Sequence, residues 1–418
     1  MGCVVASSIL SIFVSGLNVS GYVILAPFIA AKSEVAWLLL VQGLANFGVL
    51  VPAGIAADKY GSERILWFGA ALQSVSIVAS MTSACFAVQL LGRVMSGAST
   101  GILFTAAMVL IMERFQDPKR AECIGIALGV GSLGNLVGPP MAGYSYGLAV
   151  KSGWQQTQAL AFAPIGLALF ILMSVLWQVP SRATAGPPLL ATRDAAEDPE
   201  LNSSSANADT SLLSKCCGVY NAAGAEAVIV GAVLSCMFAS QSAMTCAASL
   251  NLKEHGLSAS AIGWTMVPAV IVQVVLSGLS GSMAETPRAR LVLMIAGPML
   301  LAFSLVVVAT LLTVSPSTMS PVVAVVTTVS STAAAMSIVD APSISLMGSI
   351  ASAHGLGYGK AVTASELAVG IGIAFGPYIG VKVLQHWRFI DLVLVLAAAA
   401  ALVGLAFAAY FGRRLRKC

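Results

Sequence analysis

Runs of about twenty or more apolar residues recur along this chain, and they restrict its fold more than any other feature. A helix needs ~20 apolar residues to cross the ~30 Å hydrocarbon core of a bilayer, and residues 2–30 carry no charged side chain. Charged residues make up 9% of the 418-residue chain, whereas a soluble domain has roughly 25%. The runs are too long and too continuous for the strands of a β-barrel. We therefore predict an all-α membrane protein with twelve transmembrane helices near 3–30, 35–57, 65–83, 86–112, 122–147, 157–179, 223–250, 259–284, 290–314, 320–350, 361–384 and 389–411.

A polar segment separates the sixth and seventh apolar runs. It contains Pro187-Pro188, several acidic residues between Asp194 and Glu200, and a serine cluster after Asn202. This composition is typical of a disordered linker, because it offers little apolar surface to bury. We therefore predict a first six-helix bundle over 1–180, a linker over 181–222 and a second six-helix bundle over 223–418.

Basic residues in the loops predict the orientation of the chain in the membrane. They concentrate in alternate loops, and the positive-inside rule places that side in the cytoplasm. Both termini and the central linker are therefore predicted to be cytoplasmic. The formal net charge of +4 is spread through the loops and forms no single patch, so no nucleic-acid partner is expected. The loop residues are Lys59, Arg64, Arg114, Lys119, Arg120, Arg288, Arg290 and Lys360.

The two predicted bundles repeat the same short patterns in the same order. A glycine followed four residues later by an acid comes after the second run and again after the eighth. The pattern G-x-x-x-G-P lies in the fifth run and again in the eleventh. Patterns that recur six runs apart predict two parallel repeats of six helices, as in transporters built from two bundles. The repeated residues are Gly54, Asp58, Gly281 and Glu285, with Gly134, Gly138, Pro139, Gly372, Gly376 and Pro377.

The loop after the second run resembles a motif of the major facilitator superfamily, G-x-x-x-D-x-x-G-R-[RK]. This chain has Gly54, Asp58, Gly61 and Arg64 in that pattern, with Ser62-Glu63 where the family often has arginine. The resemblance implies the major facilitator fold of two six-helix bundles. It also implies that Gly54, Asp58 and Arg64 act in gating, through charge pairing near helix ends. An ordinary charged turn is the alternative interpretation.

The fifth run narrows the resemblance. From Gly125 to Gly143 the chain reads GIALGVGSLGNLVGPPMAG, which is similar to the vesicular amine transporter family, whose members exchange monoamines or acetylcholine for protons. Glycines at helical spacing allow a neighbouring helix to approach closely, and prolines kink a helix. Gating roles are therefore expected, although packing without transport would produce the same pattern. The residues concerned are Gly134, Gly138, Pro139, Gly376 and Pro377.

Two acids lie inside apolar runs, Asp340 in the tenth and Glu366 in the eleventh. A carboxyl group at mid-membrane costs at least about 2.5–3.5 kcal/mol, and an apolar environment favours its neutral form. Such carboxyls carry protons in some proteins and are structural in others. The spacing from Tyr358-Gly359 through Glu366 to Gly376-Pro377 also matches the vesicular amine transporters, and this resemblance implies that Asp340 and Glu366 couple transport to protons.

Arg93 is the third charge inside an apolar run. With Gly97 it resembles the R-x-x-x-G pattern of the same antiporters, which implies a part in proton transfer. Alternatively, its long side chain extends to the membrane surface and keeps its charge in water.

Four uncharged polar residues are candidates for lining a substrate cavity. They can hydrogen-bond a solute, or they can tie helices together. Asn18 and Gln42 stand where the resembled family has an aspartate and a lysine, so a charge pair is replaced by a polar pair. This replacement removes part of the charge that would recognise a cation. The four candidates are Asn18, Gln42, Gln241 and Ser242.

Together with the resemblance, the sequence predicts a secondary transporter that works by alternating access. Proton-coupled antiport of an organic cation or amine-like solute is the first interpretation. A facilitator or symporter of a neutral solute, and a non-transporting membrane sensor on the same fold, are the alternatives. The chain has no P-loop, metal-ligand cluster or nucleophile–base pattern, so no enzymatic activity, cofactor or metal is expected. The expected partners are a small-molecule substrate, protons and the lipid bilayer, and the expected state is a monomer.

Overall fold

A computed structural model describes residues 2–82, 85–114, 119–153, 157–176, 224–284, 286–314, 320–354 and 358–415. Within these ranges the chain forms twelve α-helices and no strand. The helices are α1 (Gly2–Ile29), α2 (Lys32–Tyr60), α3 (Ser62–Thr82), α4 (Phe86–Arg114), α5 (Lys119–Lys151), α6 (Thr157–Leu176), α7 (Ala225–Glu254), α8 (Ala259–Met283), α9 (Pro287–Val314), α10 (Pro321–Ala353), α11 (Tyr358–His386) and α12 (Phe389–Leu415).

Each helix coincides with one of the twelve predicted apolar runs, which confirms the all-α membrane fold. By length and apolarity, ten helices of the described ranges can cross a membrane, and Ala161–Leu176 is a shorter apolar helix segment. Large apolar side chains also cover the outside of the protein, where Phe170, Phe303 and Leu402 are about 70% exposed. An outer surface of this kind is stable against lipid chains but not against water.

The helices pack in two groups with matching contacts. In the first group α1 packs on α5, α2 on α4, and α3 on α4 and α6. In the second group α7 packs on α11, α8 on α10, and α9 on α10 and α12. The repeated sequence patterns predict such equivalent pairings. The predicted linker, 181–222, lies outside the described residues, and the exact bundle boundaries stay a prediction.

The repeated glycines lie where α1 meets α5 and where α7 meets α11. A Cβ atom at Gly138 would stand 2.8 Å from the carbonyl oxygen of Leu17, and one at Gly376 would stand 2.5 Å from that of Ala239. Real Cβ atoms do not approach other atoms this closely, so only glycine permits these helix contacts. The G-x-x-x-G pattern therefore serves the same close approach in both groups.

The two groups meet along α2 with α11 and along α5 with α8. Because the number of helices is even, the start of α1 and the end of α12 lie at one face, here called the terminal face; the other is the opposite face. Gly43 lies against Ala374, and Gly263 lies against Pro139, in each case slightly nearer the opposite face. Nearer the terminal face, a Cβ at Gly370 of α11 would meet the side chain of Phe47 of α2 at 3.1 Å. The backbone-to-backbone contacts at Gly43 and Gly263 thus lie toward the opposite face, with a side-chain contact at Gly370.

Candidate functional site

A cavity of about 270 Å³ lies between the two groups, near the middle of the helices. Its wall contains residues of α1, α2, α4 and α5 from the first group and of α7, α8, α10 and α11 from the second. Among the described lining residues, none belongs to α3, α6, α9 or α12. This position, at mid-membrane between two repeats, is the usual place for a solute site in secondary transporters.

The described part of the cavity wall is mainly apolar and carries no ionisable side chain. The hydroxyls of Ser20, Ser242 and Thr245 donate to carbonyl oxygens one turn earlier in their own helices, at 2.7–2.8 Å. Five carboxamides also line the wall, and none of them makes a side-chain hydrogen bond within the described residues. The wall therefore offers uncharged donors and acceptors that the protein itself leaves unused. The carboxamides are those of Gln42, Asn46, Asn135, Gln241 and Gln273.

Three of the four predicted cavity residues, Gln42, Gln241 and Ser242, line this cavity. Asn18 does not, because its side-chain nitrogen donates to Oγ of Ser96 at 2.7 Å inside the first group. The structure thus brings three candidates together and places the fourth in the packing between α1 and α4. Substrate binding by all four stays a prediction.

The sequence interpretation missed three residues of the cavity, Asn46, Asn135 and Gln273. The repeated sequence pattern could have identified two of them. Asn46 lies eight residues before Gly54, and Gln273 lies eight residues before Gly281, so two carboxamides occupy equivalent positions in α2 and α8. Asn135 adjoins the glycine pattern of α5.

Asp340 and Glu366 lie close enough to interact electrostatically, on the adjacent helices α10 and α11. Asp340 is one turn, about 6 Å, from the cavity residue Met336, and Glu366 is two turns, about 10 Å, from the cavity residue Ile373. Both displacements are toward the terminal face. Neither carboxyl group has a hydrogen bond or ion pair in the part of the chain that the structure describes. The acid pair therefore lies beside the cavity and not in its wall.

Arg93 is fully buried in the first group. Its guanidinium lies over the ring of Tyr22, with Cζ 3.6 Å from the ring centroid, and it donates to Oγ of Ser80. Nε and Nη1 have no hydrogen-bond partner among the described residues. Arg93 does not extend to the membrane surface, so that alternative is wrong, and the aromatic face of Tyr22 supplies the main contact for the charge.

The predicted gating residues near the terminal face make few described contacts. A Cβ at Gly54 would have only Thr105 within 4 Å, at 3.8 Å, and Arg64 is exposed in the first turn of α3. The side chain of Asp58 lies outside the described residues. Gating by these three residues stays a prediction.

The predicted gating residues in the helix interiors connect the tight helix contacts to the cavity. Gly134, Gly138 and Gly376 lie in those contacts, and Pro139 and Pro377 line the cavity wall. A change in the packing of α1 on α5 or of α7 on α11 would therefore change the shape of the cavity.

Charged side chains join the two groups at the opposite face. Nζ of Lys32, at the start of α2, lies 2.7 Å from Oε1 of Glu254 at the end of α7, and it donates to the carbonyl oxygen of Leu384 at 3.0 Å. Lys253, also at the end of α7, donates to the carbonyl oxygen of Pro27 in α1. These contacts link one group of helices to the other at the opposite face.

Protein families and characterised relatives agree with this geometry. The profile of the Major Facilitator Superfamily matches residues 8–368. The vesicular acetylcholine transporter of Drosophila melanogaster is 30% identical over 122 residues, which are 29% of this chain and 21% of that protein. The multidrug transporter mfsC of Aspergillus fumigatus is 27% identical over 142 residues, which are 34% of this chain and 27% of that protein. The matched segments thus span only about a fifth to a quarter of the length of these relatives.

Solved structures show the same fold over nearly the whole chain. A D-xylose-proton symporter superimposes with a TM-score of 0.70 at 17% identity, covering 97% of this chain and 96% of that one. A POT family transporter gives a TM-score of 0.68 at 12% identity, covering 98% and 96%. The predicted resemblance to vesicular amine transporters is confirmed by the acetylcholine relative. Because the family profile covers most of the sequence, the chain belongs to the major facilitator superfamily.

Proposed function

We propose that this protein is a proton-coupled secondary transporter that moves a small organic solute across its membrane by alternating access. The solute occupies the cavity between the two groups of helices. The proton is carried by the acid pair Asp340 and Glu366, one to two turns from that cavity. The two groups rock as bundles over 1–180 and 223–418, with the termini and the linker in the cytoplasm and the protein acting as a monomer.

The observation that carries this proposal is the pair of neighbouring carboxyl groups in an otherwise apolar region. Two carboxylates close together in a low-dielectric setting repel each other, and each loses its hydration. A proton on one of them removes most of this cost. Because α10 and α11 also line the cavity, loading or releasing the proton changes the same helices that hold the solute.

Alternating access requires the contacts at the opposite face to break. In the present structure Lys32, Glu254 and Lys253 join the two groups at that face, and we take this as its closed state. Rocking of the groups would separate these residues and bring together the parts of α2 and α11 nearer the terminal face. The closed opposite face supports a cycle in which the solute enters or leaves here from the terminal side.

Antiport of an organic cation is the finer form of the proposal, and the names of the relatives favour it, since they include a vesicular acetylcholine transporter and a multidrug transporter. The uncharged wall of the cavity weighs against it, because a bound cation would find no counter-charge among the described lining residues. A neutral solute meets no such penalty.

The coupling is tested in proteoliposomes with a pH dye trapped inside. Solutes from a panel of amines, sugars and organic anions are added, and solute-dependent proton movement is recorded for the wild type, Asp340→Asn and Glu366→Gln. Asp391→Asn is the matched control, because that carboxylate accepts the Arg388 amide hydrogen at the exposed start of α12 and lies away from the cavity.

We expect both core variants to lose solute-dependent proton movement while they still exchange labelled solute between equal concentrations. The Asp391→Asn control keeps both activities. Proton movement at the wild-type rate in both Asp340→Asn and Glu366→Gln would show that the acids are structural.

A further inference from the structure

We propose that the solute is an uncharged organic molecule, recognised by the carboxamides of Gln42, Asn46, Asn135, Gln241 and Gln273. It would carry hydroxyl or amide groups and one apolar face. This inference rests on the proposed role of the central cavity as the solute site. It adds the chemical class of the solute and the residues that select it.

The five carboxamides make no hydrogen bond to the described residues, and Oγ1 of Thr100 in the same wall is also buried without a partner there. Ser20, Ser242 and Thr245 satisfy their hydroxyls on backbone carbonyls. Among the carboxamides, Oε1 of Gln42 and of Gln241 is buried without a described partner. A buried polar group without a partner is destabilising. The two unpaired carboxamide oxygens at one cavity point to a ligand that supplies the missing hydrogen bonds.

The chemistry of the wall defines the charge of that ligand. A carboxamide both donates and accepts, so it suits hydroxyl and amide groups. No ionisable residue lies among the described lining residues, and an ion held there would lose its hydration without gaining a counter-charge. The acid pair, Asp340 and Glu366, is displaced from the wall toward the terminal face. The wall therefore favours a solute without formal charge.

The apolar part of the wall defines the second property of the ligand. Phe238, Met266, Val270 and Met336 face the same space, and such side chains favour an apolar surface on the solute. The cavity volume of about 270 Å³ lies just below the ~300–1,000 Å³ of typical small-molecule sites. The fitting ligand is thus small and partly apolar.

The carboxamides come from both groups of helices. Gln42, Asn46 and Asn135 belong to the first group, and Gln241 and Gln273 belong to the second. A solute that bonds to both sets binds most tightly when the groups are close around it. It therefore favours a state in which the cavity is enclosed, since a ligand shifts a conformational equilibrium by its difference in affinity.

The test uses the purified full-length protein and matched pairs of isosteres. Choline and 3,3-dimethylbutan-1-ol have nearly the same shape, but only choline is charged. Acetylcholine and 3,3-dimethylbutyl acetate form a second pair of this kind. D-xylose serves as an uncharged sugar. Binding is measured by calorimetry and by thermal shift. We expect the uncharged member of each pair to bind at least tenfold more tightly than the cation.

Single substitutions test whether the carboxamides cause the preference for the uncharged ligand. Gln241→Leu and Gln273→Leu should each weaken binding of the uncharged ligand by about tenfold, whereas Gln385→Leu, at the end of α11 and outside the cavity wall, should not. Gln241→Glu places a negative charge in the wall and should shift the preference toward the cation.

Tighter binding of the cations, equal binding of both members, or no binding of any of these probes would overturn the inference. Equal weakening by Gln241→Leu and Gln385→Leu would also overturn it. Selective binding of the uncharged ligand without solute-dependent proton movement in the wild type would instead contradict the proposed coupling and leave the solute class in place.

Discussion

Adding one methyl group at Gly43 should open the opposite face of the protein. Gly43 lies on α2 where the first group of helices touches α11 of the second. A Cβ atom there would stand 2.8 Å from Cβ of Ala374 and 2.9 Å from its backbone nitrogen. These neighbours are backbone atoms and a methyl group, which cannot turn aside as a long side chain can.

The size of the effect follows from this overlap. Carbon atoms pack best at ~3.5–4.0 Å, and Cα of Ala374 would lie even nearer than its Cβ, so the helices must separate by more than roughly 0.7 Å to accept the Gly43→Ala methyl group. Overpacking of this kind costs about 1–3 kcal/mol. The higher helix propensity of alanine, about 1 kcal/mol, acts equally in the closed and open states and cancels between them. The population with an open opposite face should therefore rise about 5- to 150-fold.

The assay measures how fast a cysteine at Thr245, in the cavity wall, reacts with a membrane-impermeant thiol reagent added at the opposite face. The reactive native cysteines are first replaced by alanine. Gly48→Ala is the control, since it is the same change on the same helix but meets nothing within 4 Å. Equal reaction rates in Gly43→Ala and Gly48→Ala would refute the assignment of this contact to closure of the opposite face.

Two further predictions concern charges elsewhere in the protein. The Lys32–Glu254 pair is 32% and 55% exposed, so Lys32→Glu should raise the same thiol reaction rate only about 1.4- to fivefold, corresponding to an exposed pair worth roughly 0.2–1 kcal/mol. The double variant Lys32→Glu with Glu254→Lys restores opposite charges, so its reaction rate should return part of the way to that of the wild type. A rate as high as in Lys32→Glu alone would mean that the ion pair does not close this face. Arg93→Lys should lower the free energy of unfolding by about 1 kcal/mol, because an ammonium group cannot lie flat on the Tyr22 ring. Tyr22→Phe removes a hydroxyl without a described partner and should change this free energy little. A larger loss in Tyr22→Phe than in Arg93→Lys would contradict the stacking interpretation.

The sequence predicted the helices and their division into two equivalent groups closely. The run near 157–179 became Thr157–Leu176, and the run near 389–411 became Phe389–Leu415. Apolar length and polar loops determine where a chain enters and leaves a membrane. The glycine repeats also predicted that the fifth and eleventh helices have closely packed neighbours, although not which helices these are.

The direction in which each polar side chain points could not be predicted in the same way. In a soluble helix the polar face marks the solvent, but a membrane helix is apolar on its lipid side as well as in its core. Asn18 and Asn46 therefore look alike in the sequence, although one bonds to Ser96 and the other lines the cavity.

The surroundings of Arg93 were likewise not predictable from sequence distance. Its depth in the apolar run allowed both a buried and a surface-reaching side chain. The aromatic ring of Tyr22, on α1, decides between them because it covers the guanidinium. Tyr22 is 71 positions away in the sequence, so only the packing of α1 on α4 brings the two together.

The uncharged wall of the cavity has an electrical consequence for the transport cycle. If the solute crosses without charge and each cycle carries one proton, then every cycle moves one net positive charge across the membrane. One elementary charge gains or loses about 2.3 kcal/mol per 100 mV, while one pH unit contributes about 1.4 kcal/mol per proton. A potential of ~100 mV would thus act on transport as strongly as a gradient of about 1.7 pH units, and the same protein would accumulate its solute to different extents in membranes of different voltage.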